Sequence, residues 1–261
     1  MTHTSMIVSE VIGELFIVVV VAALCVGLHA LWQRHFRSDV LRKHNDVAGF
    51  LFSAVGVIYA VVLGFVVIVV WEKYDATLSN VETEIAAVSD LYRTAAGLPP
   101  PLRVTLREEL VQYAGAVPKI EWPQMRRKID VQRDVPLLED LGRRIDQFKP
   151  ADLGEANVQQ QAMTQLERLF DARRSRVYDS GPSVPLVLWF ALIAGALAVL
   201  AFAFLFGVEN RGAQLVMTAI LAGLIAVLFI VIAEFDRPFG GSVRISPDGW
   251  VVLKQHLTTI Q

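Results

Sequence analysis

Five histidines, one cysteine and a cluster of arginines are the residues of this chain with the most chemistry to offer. A metal site or a catalytic base needs such groups at a spacing that turns them toward one point. His3, His29, His35, His44 and His256 have no such spacing: nothing matches HExxH, and the single Cys25, inside an apolar run, has no partner for a disulfide. A phosphate cradle would show as a P-loop or GxGxxG turn, and a serine nucleophile as a GxSxG elbow. Neither occurs. Glu108 and Glu109 are adjacent, so on a helix they point ~100° apart and read as solvated charges rather than an acid–base pair. No enzyme, metal centre or resident cofactor is expected. What remains is electrostatic. Arg173, Arg174 and Arg176, in DARRSRVYD, stand just ahead of a long apolar run, where such a cluster anchors to headgroups or attracts anions. A net charge of −2 supplies no basic field for a nucleic acid.

The elements that position these groups are apolar. The chain is 54% hydrophobic, and four runs, 11–32, 47–71, 184–208 and 212–233, have the ~20 residues that a helix needs to cross a hydrocarbon core. The first run competes with a signal peptide, but Met1–Glu10 has no Lys or Arg and the run is longer than a leader's apolar core. It is read as a retained helix. Charge is sparse within the runs. Glu14 lies one turn into the first and can snorkel; the other three carry no ionisable group except Tyr59. Proton-coupled carriers rely on buried carboxylates or histidines, so their scarcity argues against a carrier and leaves a passive channel open.

The four runs divide the chain into a membrane hairpin (1–71), an extramembrane segment (72–180), a second hairpin (181–233) and a tail (234–261). The segment Glu72–Asp179 holds 16 of the 24 Lys and Arg and 18 of the 26 Asp and Glu, so it lies in water. Its periodicity is helical throughout and no alternating stretch of useful length occurs, so the class is all-α. One helix ends at Gly97 and Pro99-Pro100-Pro101. A second, with Leu102, Leu106, Leu110, Tyr113 and Val117 on one face, stops at Pro118, and Glu121-Trp122-Pro123 reads as a turn. Leu138, Leu141, Ile145 and Phe148 mark a third helix, and Val158–Tyr178 a fourth. Near the end, AEFDRPFGG reads as a helix stop, with Asp236 and Arg237 hydrated, Pro238 and Gly240 turning the chain, and Phe239 at the interface. The orientation is tied on charge. Arg34, Arg37, Arg42 and Lys43 flank one side of the membrane, and Lys73, Arg173, Arg174, Arg176, Arg237 and Arg244 the other.

The second run has a pattern of its own. Gly49, Ser53, Gly56, Ala60 and Gly64 fall within an arc of about 80° on a helix, a seam that lets backbones approach closely in lipid. Such a seam serves packing within one chain, or it places the helix beside a pore axis or a subunit boundary. Beyond the run, Trp71, Tyr74, Leu78, Val81, Ile85, Val88 and Tyr92 are spaced 3-4-3-4-3-4, a heptad seam for lengthwise packing. A ring of identical helices satisfies such a seam repeatedly, which places these residues at a subunit interface.

HNDVAGFLFSAVGVIYAVVLGFVVIVVWEKYD, YAGAVPKIEWP, the RRSR cluster and DRPFGG together resemble a bacterial membrane family with a "bestrophin-like domain", over nearly the whole chain. That family is distantly similar to bestrophins, which are pentameric anion channels, or cation channels in some bacterial members. Theirs are four membrane helices, a large cytosolic helical region between the second and third, a pore lined by the second, and a Pro-Phe-Gly segment after the last. The resemblance implies a homo-oligomeric ion channel in the bacterial inner membrane, a pentamer on the bestrophin pattern, with the central segment in the cytoplasm and inorganic ions passing along the second helix. Two features depart from bestrophins. No acidic run follows Pro238-Phe239-Gly240, so calcium gating is not implied, and the second span lacks an aromatic-rich neck, so anion selectivity is not carried over. A scaffold or sensor whose helical segment binds a protein partner is the alternative.

Overall fold

A computed structural model describes residues 3–35, 45–127, 129, 131, 136–208 and 210–259. All regular structure among them is helical: α1 (His3–His35), α2 (Asn45–Thr94), α3 (Pro100–Ala116), α4 (Trp122–Arg126), α5 (Pro136–Gln147), α6 (Leu153–Asp179), α7 (Leu186–Leu205), α8 (Arg211–Phe235) and α9 (Asp248–Thr259). Four of them, α1, α2, α7 and α8, are long and apolar enough to cross a membrane. The expected all-α class and the four spans are borne out. Arg37, Arg42 and Lys43, used above for orientation, lie outside the described residues.

The chain forms two compact units. The first comprises Met1–Glu72 and Ser183–Asp236, the second Lys73–Pro182 and Arg237–Gln261. In the first, Tyr59, Leu63, Val66 and Val70 of α2 bury against Leu192, Ala196 and Val199 of α7 and Ile225 and Ile232 of α8. Helix α1 keeps Val8, Ile12, Phe16 and Leu24 exposed, as expected where lipid rather than protein is the apolar solvent. Two side chains organise the helix starts. Asn210 Oδ1 accepts from Ala213 N at 3.1 Å, and Asp236 Oδ1 accepts from Ser183 N at 2.7 Å, Ser183 Oγ at 2.7 Å and Val184 N at 2.9 Å, ahead of α7. Asp236 is therefore buried as an acceptor, not hydrated. The donors of a chain segment turning back toward α7 have no other partner in an apolar bundle, and a carboxylate satisfies three at once.

In the second unit, α2, α3, α5, α6 and α9 enclose a core that includes Val88, Leu91, Leu106, Leu110, Leu138, Ile145, Leu169 and Trp250. Helix α6 begins with a reciprocal cap, Asp152 Oδ1 accepting from Glu155 N and Glu155 Oε2 from Ala151 N, both at 2.8 Å. Pro118 does not stop the second helix. A π-turn, Val117–Glu121, carries α3 into α4, with Trp122 N donating to Val117 O. Prolines 118 and 123 lack the N–H that an α-ladder requires, and the wider π-turn accommodates both without ending the helix. Glu121-Trp122-Pro123 is thus helical rather than a turn, which keeps Glu121 and Trp122 facing inward.

Candidate functional site

On α2, at ~100° per residue, two faces lie about a quarter-turn apart. One carries Tyr59, Leu63, Val66 and Val70 and is buried in the first unit. The neighbouring one carries the small-residue seam. Ser53, Ala60 and Gly64 are exposed, Gly49 and Gly56 half-buried. A Cβ added at Gly56 or Gly64 meets no heavy atom within 4 Å, and at Gly49 only the Phe206 ring at 3.8 Å. Packing within one chain therefore leaves this seam largely uncovered. Tyr59 belongs to the covered face: its ring occupies the place that a Cβ on Gly195 of α7 would need. Its hydroxyl is buried without a hydrogen-bond partner among the described residues.

The heptad seam divides the same way. Val81, Val88 and Tyr92 are buried in the second unit's own core, with Tyr92 Oη donating to Leu257 O at 3.1 Å. Tyr74, Leu78 and Ile85 are half-buried against that core, and Trp71 is 53% exposed. On helical geometry Trp71, Leu78 and Ile85 share the azimuth of the small-residue seam, whereas Val81 and Val88 share that of the buried face.

The arginine cluster separates too. Arg176, fully buried, donates through Nε to Glu84 Oε2 at 2.5 Å and through Nη2 to Glu84 Oε1 at 3.0 Å and Glu121 Oε2 at 2.5 Å. Its guanidinium lies 5.7 Å from the centroid of the Trp122 ring. Arg173 donates to Glu121 Oε1 at 3.0 Å, and Tyr113 Oη to Glu84 Oε1 at 2.5 Å. Two carboxylates thus balance two guanidiniums in a largely buried cluster, so neither arginine presents an unneutralised charge outward. Burial alone would lower the Arg176 pKa, but the charge and hydrogen bonds of Glu84, with Glu121, raise it further; burial and the Glu84 charge push the Tyr113 phenol well up. Arg174 differs. It is exposed, paired on its own helix with Asp171, and lines a groove of about 820 Å³ with Phe170, Arg173, Val177, Tyr178 and Pro182.

The Pro-Phe-Gly segment closes this unit's core. Phe239 is 2% exposed and stacks edge-on against Trp122, centroids 5.0 Å apart, so it is no interface anchor. Its ring fills space left beside a buried indole, which water or a headgroup cannot do. Arg237 is exposed. Pro238 O accepts from Ile245 N at 2.7 Å, Gly240 N donates to Arg237 O at 2.9 Å, and Gly241 holds a φ of 73°, which a Cβ would oppose. The chain so turned delivers α9, whose Trp250, Leu253 and Leu257 are buried. That helix went unread in the sequence, although a 3-4 spacing carried it. Glu84 carries no signal in the sequence, being one charge among many, and Glu121 is read there only as part of a turn.

The bestrophin-like domain family matches residues 16–250. The chain belongs to that family. Solved structures of a bacterial bestrophin homologue from Klebsiella pneumoniae share the fold of this bestrophin-like protein. One, a point-substituted form, is 15% identical with a TM-score of 0.67 and covers 97% of each chain. A second, also substituted, is 15% identical with a TM-score of 0.65, covering 91% of this chain and 99% of its own. A third is 16% identical with a TM-score of 0.64, covering 91% and 97%. Comparison with curated proteins finds no match.

Among the described residues, no group of three His, Cys, Asp or Glu side chains is placed to hold a metal ion.

Proposed function

We propose that this bestrophin-like protein is a homo-oligomeric ion channel whose conduction path is lined by the α2 seam Gly49, Ser53, Gly56, Ala60 and Gly64. The observation that carries this reading is that the seam has open space beside it in the single chain, while the adjacent face of α2 is committed to the protomer's core. Small residues permit helices to approach an axis closely, and they have no value for burial against lipid. Trp71, Tyr74, Leu78 and Ile85 keep part of their surface and form the contact between copies, backed from inside by Val81, Val88 and Tyr92. Arg174, in its open groove, is the member of the arginine cluster left to meet an anion or a headgroup. The closed-ring symmetry of an oligomer supplies each seam with an identical neighbour.

Purified protein reconstituted into planar bilayers tests the proposal. Unitary currents are expected, and persistent silence across varied ions and pH would favour a scaffold that binds a protein partner. The second unit lies in the cytoplasm of a bacterial cell on this reading. A reporter active only in the periplasm, fused within Pro99–Pro101, should remain silent; strong activity there reverses the orientation.

A further inference from the structure

His29 is fully buried at the end of the first unit that carries the starts of α2 and α8. A histidine enclosed between membrane helices is costly unless both ring nitrogens have partners. Here both do. Nδ1 lies 2.7 Å from Thr218 Oγ1, and Nε2 lies 3.4 Å from Gln33 Nε2; the Phe204 ring stacks on the imidazole at 4.4 Å between centroids. The surrounding bonds assign the tautomer. Thr218 Oγ1 donates its one proton to Gln214 O at 3.0 Å, so it accepts from His29 Nδ1–H, and Nε2 is the bare acceptor.

We propose that His29 is a proton-binding site whose occupancy is transmitted to the head of α2 through Gln33, Gln214 and Phe206. The route follows from donor and acceptor matching. Gln33 Nε2 also donates to Gln214 Oε1 at 2.9 Å, and Gln214 Nε2 donates to Phe206 O at 2.5 Å. A proton taken at His29 Nε2 turns that acceptor into a donor, so a donor faces the Gln33 amide nitrogen. Gln33 must flip its amide to present oxygen. That oxygen then opposes Gln214 Oε1, and Gln214 must flip in turn. Its own oxygen now opposes the carbonyl of Phe206, which has no second orientation to offer. The conflict has to be relieved by movement of the Phe206–Gly207 backbone.

That backbone is tied to α2. Asn45 Nδ2 donates to Gly207 O at 2.9 Å and Asn45 Oδ1 accepts from Gly207 N at 3.0 Å. The Phe206 ring also packs edge-on against Phe52, 5.6 Å between centroids, and lies over Gly49. Protonation therefore reaches the first two turns of the helix that carries the seam. The groups touching His29 are uncharged: Gln33 from α1, Phe204 from α7, Thr218 from α8. The described titratable and charged side chains within about two helical turns of this network are Cys25, Arg34 and His35 on α1, Asp46 on α2 and Arg211 on α8; Glu10 and Glu14 of α1, Tyr59 of α2 and Glu234 of α8 lie further along their helices, and no ion pair joins any of these to the ring among the described residues. The inference stands on these bonds and does not require that the protein conduct.

Nuclear magnetic resonance of lipid-reconstituted protein labelled at histidine and asparagine side-chain nitrogens, scanned from pH 8 to pH 4.5, tests it. His29→Gln and Asn45→Ser identify the two signals by their loss. In the wild type the His29 nitrogens should titrate and the Asn45 amide should shift with the same midpoint. In His29→Gln the Asn45 shift should vanish. Gln33→Leu cuts the relay while leaving Thr218 on the ring, so His29 should still titrate while Asn45 stays still. A His29 that remains neutral at pH 4.5, an Asn45 signal that does not follow it, or an Asn45 shift that persists in either variant would overturn the proposal.

Discussion

Arg176 carries its charge into a buried region where Glu84, Glu121, Tyr113, Trp122 and the Met125 sulfur compensate for lost hydration. Arg176→Met keeps the length of the side chain but leaves the buried Glu84 without a counter-charge, while Glu121 keeps Arg173; an uncompensated buried charge costs about 3–5 kcal/mol. Tyr113→Phe removes one hydrogen bond to a carboxylate that Arg176 still neutralises, a loss of about 1.5–3 kcal/mol. Thermal melts of the solubilised protein, followed by tryptophan fluorescence, should rank the two variants in that order, and equal melts would mean the network is solvated. Glu109 gives a pH test. Burial raises its carboxyl pKa, opposed by Arg144 at 3.5 Å and reinforced by the charges of Asp140 and Glu108. The folded carboxyl thus holds its proton to higher pH than the unfolded one. Above the unfolded value of about 4.3 the unfolded chain ionises first, and the fold loses stability as pH rises. Glu109→Gln cannot ionise, so it should raise the melting temperature at pH 7 and lose that advantage at pH 4. The opposite trend would show that the Arg144 pair outweighs burial.

At the scale of elements, close approach decides which helices pair. Gly195 lets α7 pass against the Tyr59 face of α2, where a methyl group would overlap the ring. An aromatic ring braced in a packed core has little room to yield, so Gly195→Ala should lower the melting temperature of the membrane unit by several degrees. Pairing it with Tyr59→Leu, which removes the ring, should restore part of the loss. Failure of that rescue would place the strain elsewhere along α7. The π-turn at Val117–Glu121 shows a different elemental constraint. Prolines 118 and 123, about one turn and a half apart, each remove a donor from the helical ladder, but the turn widens and the inward register of Glu121 and Trp122 survives.

For the whole molecule, the α2 seam separates folding from assembly. Gly56→Leu adds a bulky side chain where the single chain has open space, so each protomer should fold with an unchanged helical circular dichroism spectrum. If another copy approaches this face, the same change should shift the detergent-solubilised oligomer to smaller species on size-exclusion chromatography with light scattering. Ala60→Leu, one turn along, should do likewise. Wild-type oligomer size in both variants would mean that no neighbouring copy packs against the stripe.

Much of this architecture was legible in the order of residues because its causes are local. A run such as 47–71 without charge has few folded destinations other than lipid, and the 3-4 spacing of Leu138, Leu141 and Ile145 makes a helical face whatever it meets. The bestrophin-like membership was legible for a related reason: DRPFGG and the α2 segment are contiguous stretches of chain, and both lie within the matched residues 16–250. Partners were not legible, because a partner is chosen across long sequence separations. Nothing near Arg176 announces Glu84, 92 positions away, and nothing near His29 announces Thr218, 189 positions away. In a short polar-and-glycine segment Asp236 reads as hydrated and Phe239 as an interface anchor until Ser183 and Trp122 are brought to them. The heptad on α2 is the sharpest instance. Its spacing requires burial along one side of the helix, and the spacing itself is blind to whose atoms do the burying. Only the packed chain assigns Val81, Val88 and Tyr92 to the protomer's own core, because α3, α6 and α9 reach that face first and close it to water.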